Sequence, residues 1–329
     1  GIRHVVDSGV ARVARYDAER GIGTLLLEPI SRASADQRKG RAGRTAPGTC
    51  HRLWTVIGHK DRDERNTPEI QRSDLAEVVL LLHSLGIREA ATFDWLDKLD
   101  PQAVVRAERL LTMLGALLDA DLTPIGRQML RLPMHPRYSR MLIEASQRGC
   151  VPDAALCAAL VSGRDLLARL DRDDAQTKAA REMFEDSANS DFITLMRAYD
   201  FAKANGFSFD RCRNYGINAQ VARQVEQTCQ QILHAAHQQR LYDRDACLNE
   251  STTAEIGTPQ RTESEGISLR RSSLCGANQG ASKSSDALLR CLMAGFVDQL
   301  AKRRTPGKPE CDLTDQRQGH LVRGSVVTD

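Results

Sequence analysis

Apolar positions are spaced in two different ways along this chain. In the first 55 residues they come in short, β-branched clusters, and beyond residue 70 they recur every three or four positions. Residues 2–6 (IRHVV) read as a buried strand followed by a turn at Asp7-Ser8-Gly9. Residues 10–30 read as a hairpin, with two β-prone arms flanking the polar tip DAERGIG. Alternation along its first arm puts Val13 on one side and Arg12 with Ala14 on the other. After Pro47-Gly48 the segment TCHRLWT predicts another short strand.

Helical spacing then takes over. Ser73 stands as the cap of DLAEVVLLLHSLG, with Leu75, Val78, Val79 and Leu82 on one face and Gly86 as the stop. Asp100-Pro101 opens QAVVRAERLLTMLGALL, and Thr123-Pro124 repeats the device before IGRQMLRL. Further helices are predicted near 136–148 and 152–161, from Asp191 to a stop at Gly206, and from Asn218 onward. Residues 249–285 are rich in Ser, Thr and Gly with little apolar periodicity, which predicts a flexible connection. Asp286 starts ALLRCLMAGFVDQLAKRR, and the tail reads as two strands around DQRQGH. No internal repeat is present.

Composition narrows the classes. At 329 residues and 41% hydrophobic, the chain can build two or three cores. Only 4% is aromatic, which argues against an all-β sandwich or a stacking-rich single-strand binder. A net charge of +3 does not by itself announce a nucleic-acid partner. No apolar run reaches membrane-spanning length, so no membrane association is expected. The nine cysteines form no CxxC pair, and a reducing, cytoplasmic compartment is expected, or a nuclear one in a eukaryote. His51, His59, His83 and His135 stand in no metal-ligand spacing, so no metal site is assigned. The first residue is Gly inside a strand pattern, which leads us to expect part of a longer protein.

The stretch SADQRKGRAGRTAPG, residues 34–48, carries the clearest chemistry. Ser34 and Gln37 fit a capping box, which predicts a helix starting there. At about 100° per residue, Gln37, Arg41 and Arg44 then share a face with Gly40 between them, while Arg38 and Lys39 point elsewhere. Glycines inside a helix cost roughly 1 kcal/mol each relative to Ala, so their use suggests that something approaches closely. Arginine forks match phosphate oxygens, and two of them beside bare glycine suit a polyphosphate. A solvated basic helix is the plainer alternative.

The segment QRKGRAGR resembles motif VI of the DEAH-box, or RHA-like, superfamily 2 helicases. The segments VVDSG, PGTCHRLWT, PEIQRSDLAEVVLLLHSLGI, LTPIGRQMLRLPMHPRYSRMLI, DFITLMRAYDFA and LMAGFVDQLAKR continue that resemblance in order, with residues 249–285 the weakest part. The resemblance implies a multidomain, mostly α chain after a partial α/β RecA-like lobe. It divides the chain into the end of the second RecA-like lobe with hairpin and motif VI (1–60), a winged helix (61–133) and a helical ratchet bundle (134–248). The flexible connection (249–285) and then a final ratchet helix with the truncated β start of an OB-fold (286–329) complete it.

By the same resemblance, Gln37, Gly40, Arg41 and Arg44 contact nucleotide phosphates, with Arg41 and Arg44 as arginine fingers. Such fingers contribute roughly 10³–10⁵ in rate to phosphoryl transfer. Arg12 and Arg15 on the hairpin, with Thr194, Arg213 and Asn214 in the ratchet, are the implied RNA contacts. The implied substrates are ATP or another NTP with Mg²⁺, held mainly by a first RecA-like lobe, and RNA, single-stranded or duplex with a 3′ overhang. Protein activators are further possible partners.

No G-x-x-x-x-G-K-[ST] loop and no DEAH box occur in the sequence, so these residues alone are expected to hydrolyse nothing. A non-catalytic RNA- or protein-binding module is the alternative of a different class, and a DNA helicase shares every residue named. Trp54 and Trp95 read as core anchors. Asp7 reads as a turn stabiliser, and the charge run 169–174 as a solvated face.

Overall fold

The computed structural model describes residues 1–17, 22–168, 175–185, 190–243, 281–305, 308–314 and 318–321. The hairpin tip with Arg20, the 169–174 charge run and nearly all of the 249–285 connection lie outside the described residues. The chain is mostly helical with a few small sheets. It divides into two compact units, residues 1–112 with 117–122, and residues 113–116 with 123–329.

In the first unit, β1 (His4–Asp7) and β4 (Thr49–Arg52) pair in parallel, His4 opposite Thr49 and Asp7 opposite Arg52. A parallel pair needs a long crossover. Here it consists of the hairpin β2 (Val10–Asp17) and β3 (Ile22–Pro29) followed by α1 (Arg32–Ala42). The hairpin is antiparallel, from Val10 opposite Pro29 to Asp17 opposite Ile22. β1 is not the buried strand its composition predicts. It has one partner strand among the described residues, and Val6 is 68% exposed while Asp7 is buried.

α2 (Val56–Lys60) follows β4, and Thr55 caps it by accepting the Gly58 N–H at 3.0 Å. α3 (Ala76–Ser84) is started by Asp74, not Ser73: Asp74 Oδ1 accepts the Ala76 N–H at 2.8 Å. Its inner face holds Leu75, Val79, Leu80 and Leu82, while Val78 lies outside. α4 (Pro101–Met113) starts as predicted, with Asp100 accepting the Gln102 N–H at 3.0 Å. Its expected continuation through LGALL is instead a turn at Gly115 (φ 72°) into a second hairpin. There β5 (Leu117–Leu118) pairs with β6 (Asp121–Leu122) around Asp119 and Ala120, both at positive φ as a two-residue type I′ turn requires. Apolar spacing at 114–118 fits helix or strand equally, so the turn was invisible to periodicity.

The second unit is built from α5 (Pro124–Leu130), α6 (Pro136–Arg148), α7 (Val151–Ser162), α8 (Ala175–Glu185), α9 (Asp191–Ala204), α10 (Phe209–Arg213), α11 (Ala219–Gln238) and α12 (Ala281–Gly295). α7 is the central element, with Ala154, Ala155, Cys157, Ala158 and Ala159 almost fully buried. Such small side chains let α6, α9, α11 and α12 all pack against it. Phe184 fills the other end, its ring centroid 5.6 Å from Phe201 and 5.7 Å from Tyr215.

α12 begins before Asp286 and stops at Gly295, where a Cβ would lie 2.7 Å from the Arg137 carbonyl oxygen. The predicted helix does not run on through AKRR. Those residues form β7 (Ala301–Arg303), which pairs with β8 (Glu310–Leu313), itself paired with β9 (Gln318–His320). Buried Arg137 ties α6 to Asp298, just ahead of β7, by a bidentate ion pair.

Candidate functional site

α1 begins a turn earlier than the Ser34/Gln37 pattern predicts. Buried Ser31 is the cap, accepting the Ser34 N–H on its Oγ at 3.2 Å. Asn66 locks this start from a distance, accepting the Ser31 N–H at 3.2 Å and donating to Ser34 Oγ at 3.0 Å. Buried Ile30 before the cap and Ala35 a turn later fit a hydrophobic staple, the local signal that could have found it.

This start sets the helix faces. Ala35, Arg38 and Ala42 point inward, while Gln37 and Arg41, one turn apart, are exposed. The helix ends at Ala42, so Arg44 lies beyond Gly43, exposed but outside the helix. Only Gly40 of the two glycines is therefore helical. A Cβ at Gly40 or Gly43 would meet nothing within 4 Å, so nothing in the described chain requires either to be bare. The glycine that packing does require is Gly48, where a Cβ would fall 2.2 Å from the Ala42 carbonyl oxygen.

The arginines of QRKGRAGR have separate fates. Arg38 Nη1 donates to Asp7 Oδ1 at 2.8 Å and to the Val10 carbonyl at 3.3 Å. Asp7 Oδ1 also accepts the Gly9 N–H at 2.9 Å, closing the turn after β1. Arg62 completes this frame, donating to the Gly9 and Ile30 carbonyls at 2.7 and 2.9 Å with its guanidinium 4.4 Å over Trp54. Trp54 is thus an anchor, as is Trp95, whose Nε1 donates to the Ala90 carbonyl at 2.9 Å. Arg41 and Arg44 have no hydrogen-bond or ion-pair partner among the described residues. The result is a rigid strand–helix platform presenting two unengaged guanidiniums and an amide to solvent.

On the hairpin, Arg12 is exposed and without a partner among the described residues. Arg15 differs: its Nε and Nη2 clamp Glu28 at 2.5 and 2.9 Å. That hydrogen bonding holds the Glu28 carboxyl below its ordinary range. Arg72 braces the same hairpin by donating to the Ala14 carbonyl at 2.6 Å. A cavity of about 760 Å³ lies under it, but Glu28, Asp61, Asp63 and Glu69 line it along with arginines, so its charge is mixed.

In the second unit, Thr194 is 6% exposed, and its buried hydroxyl has no hydrogen-bond partner among the described residues. α9 turns it into the bundle with Ile193, so it packs and does not face a surface ligand. Arg213 and Asn214 are exposed at the end of α10 and line a groove of about 700 Å³. Arg211, in contrast, is engaged by Asn205 Oδ1 at 2.6 Å. Among the described residues, no group of three or more His, Cys, Asp or Glu could hold a metal ion, and no helix is long and apolar enough to cross a membrane.

Residues 107–134 match the helicase-associated (HA2) winged-helix domain, and residues 135–195 the ratchet-like HA2 domain. The chain is 35% identical over 246 residues to the pre-mRNA-splicing factor ATP-dependent RNA helicase prp22 of Schizosaccharomyces pombe, covering 74% of this chain and 20% of that protein. It is 38% identical over 208 residues to the ATP-dependent RNA helicase HrpA of Escherichia coli, covering 61% of this chain and 16% of HrpA.

The chain is similar to the C-terminal region of the DEAH-box RNA helicases.

A solved structure agrees. The DExH-box NTPase HrpB of E. coli superposes with a TM-score of 0.53 at 25% identity, over 98% of this chain and 30% of HrpB. The chain spans about a fifth of the length of the curated relatives it matches. The winged-helix match takes in the end of α4, the β5–β6 hairpin and α5, and the ratchet-like match runs from α6 into α9.

Proposed function

We propose that this region serves an ATP-dependent RNA helicase that moves 3′→5′, with Arg41 and Arg44 as its arginine fingers. The observation that carries this is the divided use of one arginine-rich helix. Arg38 is built into the fold through Asp7, while Gln37, Arg41 and Arg44 are left exposed on a braced platform. An exposed, unpaired guanidinium can be delivered to a γ-phosphate without first breaking an internal ion pair. The open space over Gly40 lets a phosphate approach the helix backbone. These residues fit the terminal phosphate of a nucleotide; Mg²⁺ and the rest of the nucleotide are assigned to other parts of the protein.

In that role the two forks stabilise negative charge spread over the transferring phosphoryl oxygens. Arg12 on the hairpin and Arg213 with Asn214 in the ratchet are proposed to contact RNA. Arg15, committed to Glu28, contributes less, and Thr194 is set aside because it is buried.

The test is RNA-stimulated ATP hydrolysis by the full-length protein containing this chain. Arg41→Glu is expected to lower the rate roughly 10³-fold or more while the melting temperature stays put. Near-normal turnover by that variant would refute the finger assignment. Turnover by the 329-residue chain alone would refute its dependence on the rest of the protein.

A further inference from the structure

The groove at the end of α10 differs from the cavity under the hairpin in one respect that bears on its ligand. Among the described residues none of those lining it is acidic, and Arg213 is the cation they supply. The side chains of Arg213, Asn214, Gln176 and Gln220 have no partner among the described residues. Asn218 uses its Oδ1 to cap α11, accepting the Gln220 and Val221 N–H groups at 3.1 Å each. Its Nδ2 is left to donate elsewhere. Beside these polar groups stands Phe209, 68% exposed and also lining the groove. A large ring held out in water among unengaged donors is a poor packing residue. It is a good platform for something flat, polar at its edges and anionic nearby.

The groove floor is rigid. Ala168 N donates to the Gly216 carbonyl at 2.8 Å, and Asn218 N donates to the Leu166 carbonyl at 2.9 Å. Buried Arg181 donates to the Ala168, Gly216 and Tyr215 carbonyls at 2.7, 3.0 and 3.0 Å. A Cβ at Gly216 would sit 2.3 Å from Arg181 Nη2, so the frame admits only glycine there. At about 700 Å³ the groove has the size of a small-ligand site.

We propose that this groove holds one nucleotide of a single-stranded nucleic acid, its base stacked on Phe209 and its phosphate on Arg213. The amides of Asn214 and Asn218 reach the base edge. A protein partner would need more apolar surface than one ring, and a bare anion would leave Phe209 unused. The proposal rests on the RNA-binding reading above and sharpens it from backbone contact to base stacking.

Fluorescence anisotropy of the 329-residue chain with two labelled probes tests it: a short oligouridylate and an abasic ribose-phosphate oligomer of equal length. Phe209→Ala should weaken oligouridylate binding about tenfold and leave the abasic oligomer unaffected, since aromatic stacking serves the base alone. Phe209→Trp should retain wild-type affinity. Arg213→Gln should weaken both probes and reduce the slope of log affinity against log salt by about one. Melting temperatures of all variants control for folding. Unchanged oligouridylate affinity in Phe209→Ala, or an equal loss on both probes, would overturn the stacking site while the RNA-binding reading stands. Failure of the unaltered chain to bind either probe would overturn both.

Discussion

Arg41 and Arg44 in the first compact unit stand in solvent without a partner among the described residues, whereas Arg137 and Arg181 in the second are buried and engaged. The contrast extends to the surroundings. The first unit holds its platform with a thin core around Ile30, Ala35 and Ala42, and its strands expose Val6 and Leu27. The second builds a continuous core from α6 to α12, and its polar groups are paired both within and between helices: Glu144 with Arg140 and Arg148 along α6, and Glu226 of α11 with Tyr199 and Lys203 of α9. A buried guanidinium must be matched because desolvation leaves it costly alone. An exposed one tolerates being unmatched, and so remains available to a ligand. The same residue type is scaffold in one place and candidate reagent in another, and the difference is read from partners and burial.

Four measurements sharpen this contrast, from the largest effect down. Phe184→Ala in the second unit should cost about 3–5 kcal/mol in urea unfolding, because it empties a fully buried ring site against Phe201 and Tyr215. A cost below about 1 kcal/mol would show the bundle to be far looser than its packing implies.

Within α1, Arg38→Ala should destabilise the first unit by about 2 kcal/mol, since it strips the buried Asp7 carboxylate of its ion pair. Arg38 is itself partly exposed, which keeps the effect below that of a fully buried pair.

Glu226 supplies a pH test. Burial pushes its carboxyl up, but the Tyr199 hydroxyl and the Lys203 ammonium outweigh this and hold it below its ordinary value near 4.5. Its folded pKa is depressed, so its contribution is complete above that value and is lost as pH falls through the folded one. Glu226→Gln should therefore lower stability by about 1 kcal/mol at neutral pH. In thermal melts the gap to wild type should narrow as the pH is lowered below the ordinary carboxyl value; a constant gap across the range would exclude the carboxylate as its cause.

The smallest effect is the most diagnostic. Arg41→Ala should leave unfolding free energy within about 0.5 kcal/mol of wild type, as expected of an unpartnered surface side chain. A loss matching that of Arg38→Ala would erase the distinction between scaffold and site.

Local chemistry made much of the chain legible. Asp100-Pro101, Thr123-Pro124, Asp191 and Asn218 mark helix starts found in the structure, and Gly86 and Gly206 take the positive φ that ends a helix. Those signals act within a single turn, so the sequence carries them whole. The hairpin at 10–30 was equally visible, because its arms and polar tip are contiguous.

Other features needed residues far away in sequence. Asn66 and Ser31 moved the start of α1 back by a turn, placing Arg44 outside the helix. Asp7 chose Arg38 from a run of similar cations, and Glu28 took Arg15 but left Arg12 free. Gly295, packed against the Arg137 backbone, is the last residue of α12, and pairing with β8 holds Ala301–Arg303 as a strand. Phe209 carried no sequence signal at all, since an aromatic is ordinarily core and only the fold left this one in water. Local sequence alone set where helices start and that one short stretch concentrates arginine and glycine. Which arginines stay unpaired was decided by tertiary structure, because pairing depends on which carboxylates and carbonyls the fold brings within about 3 Å.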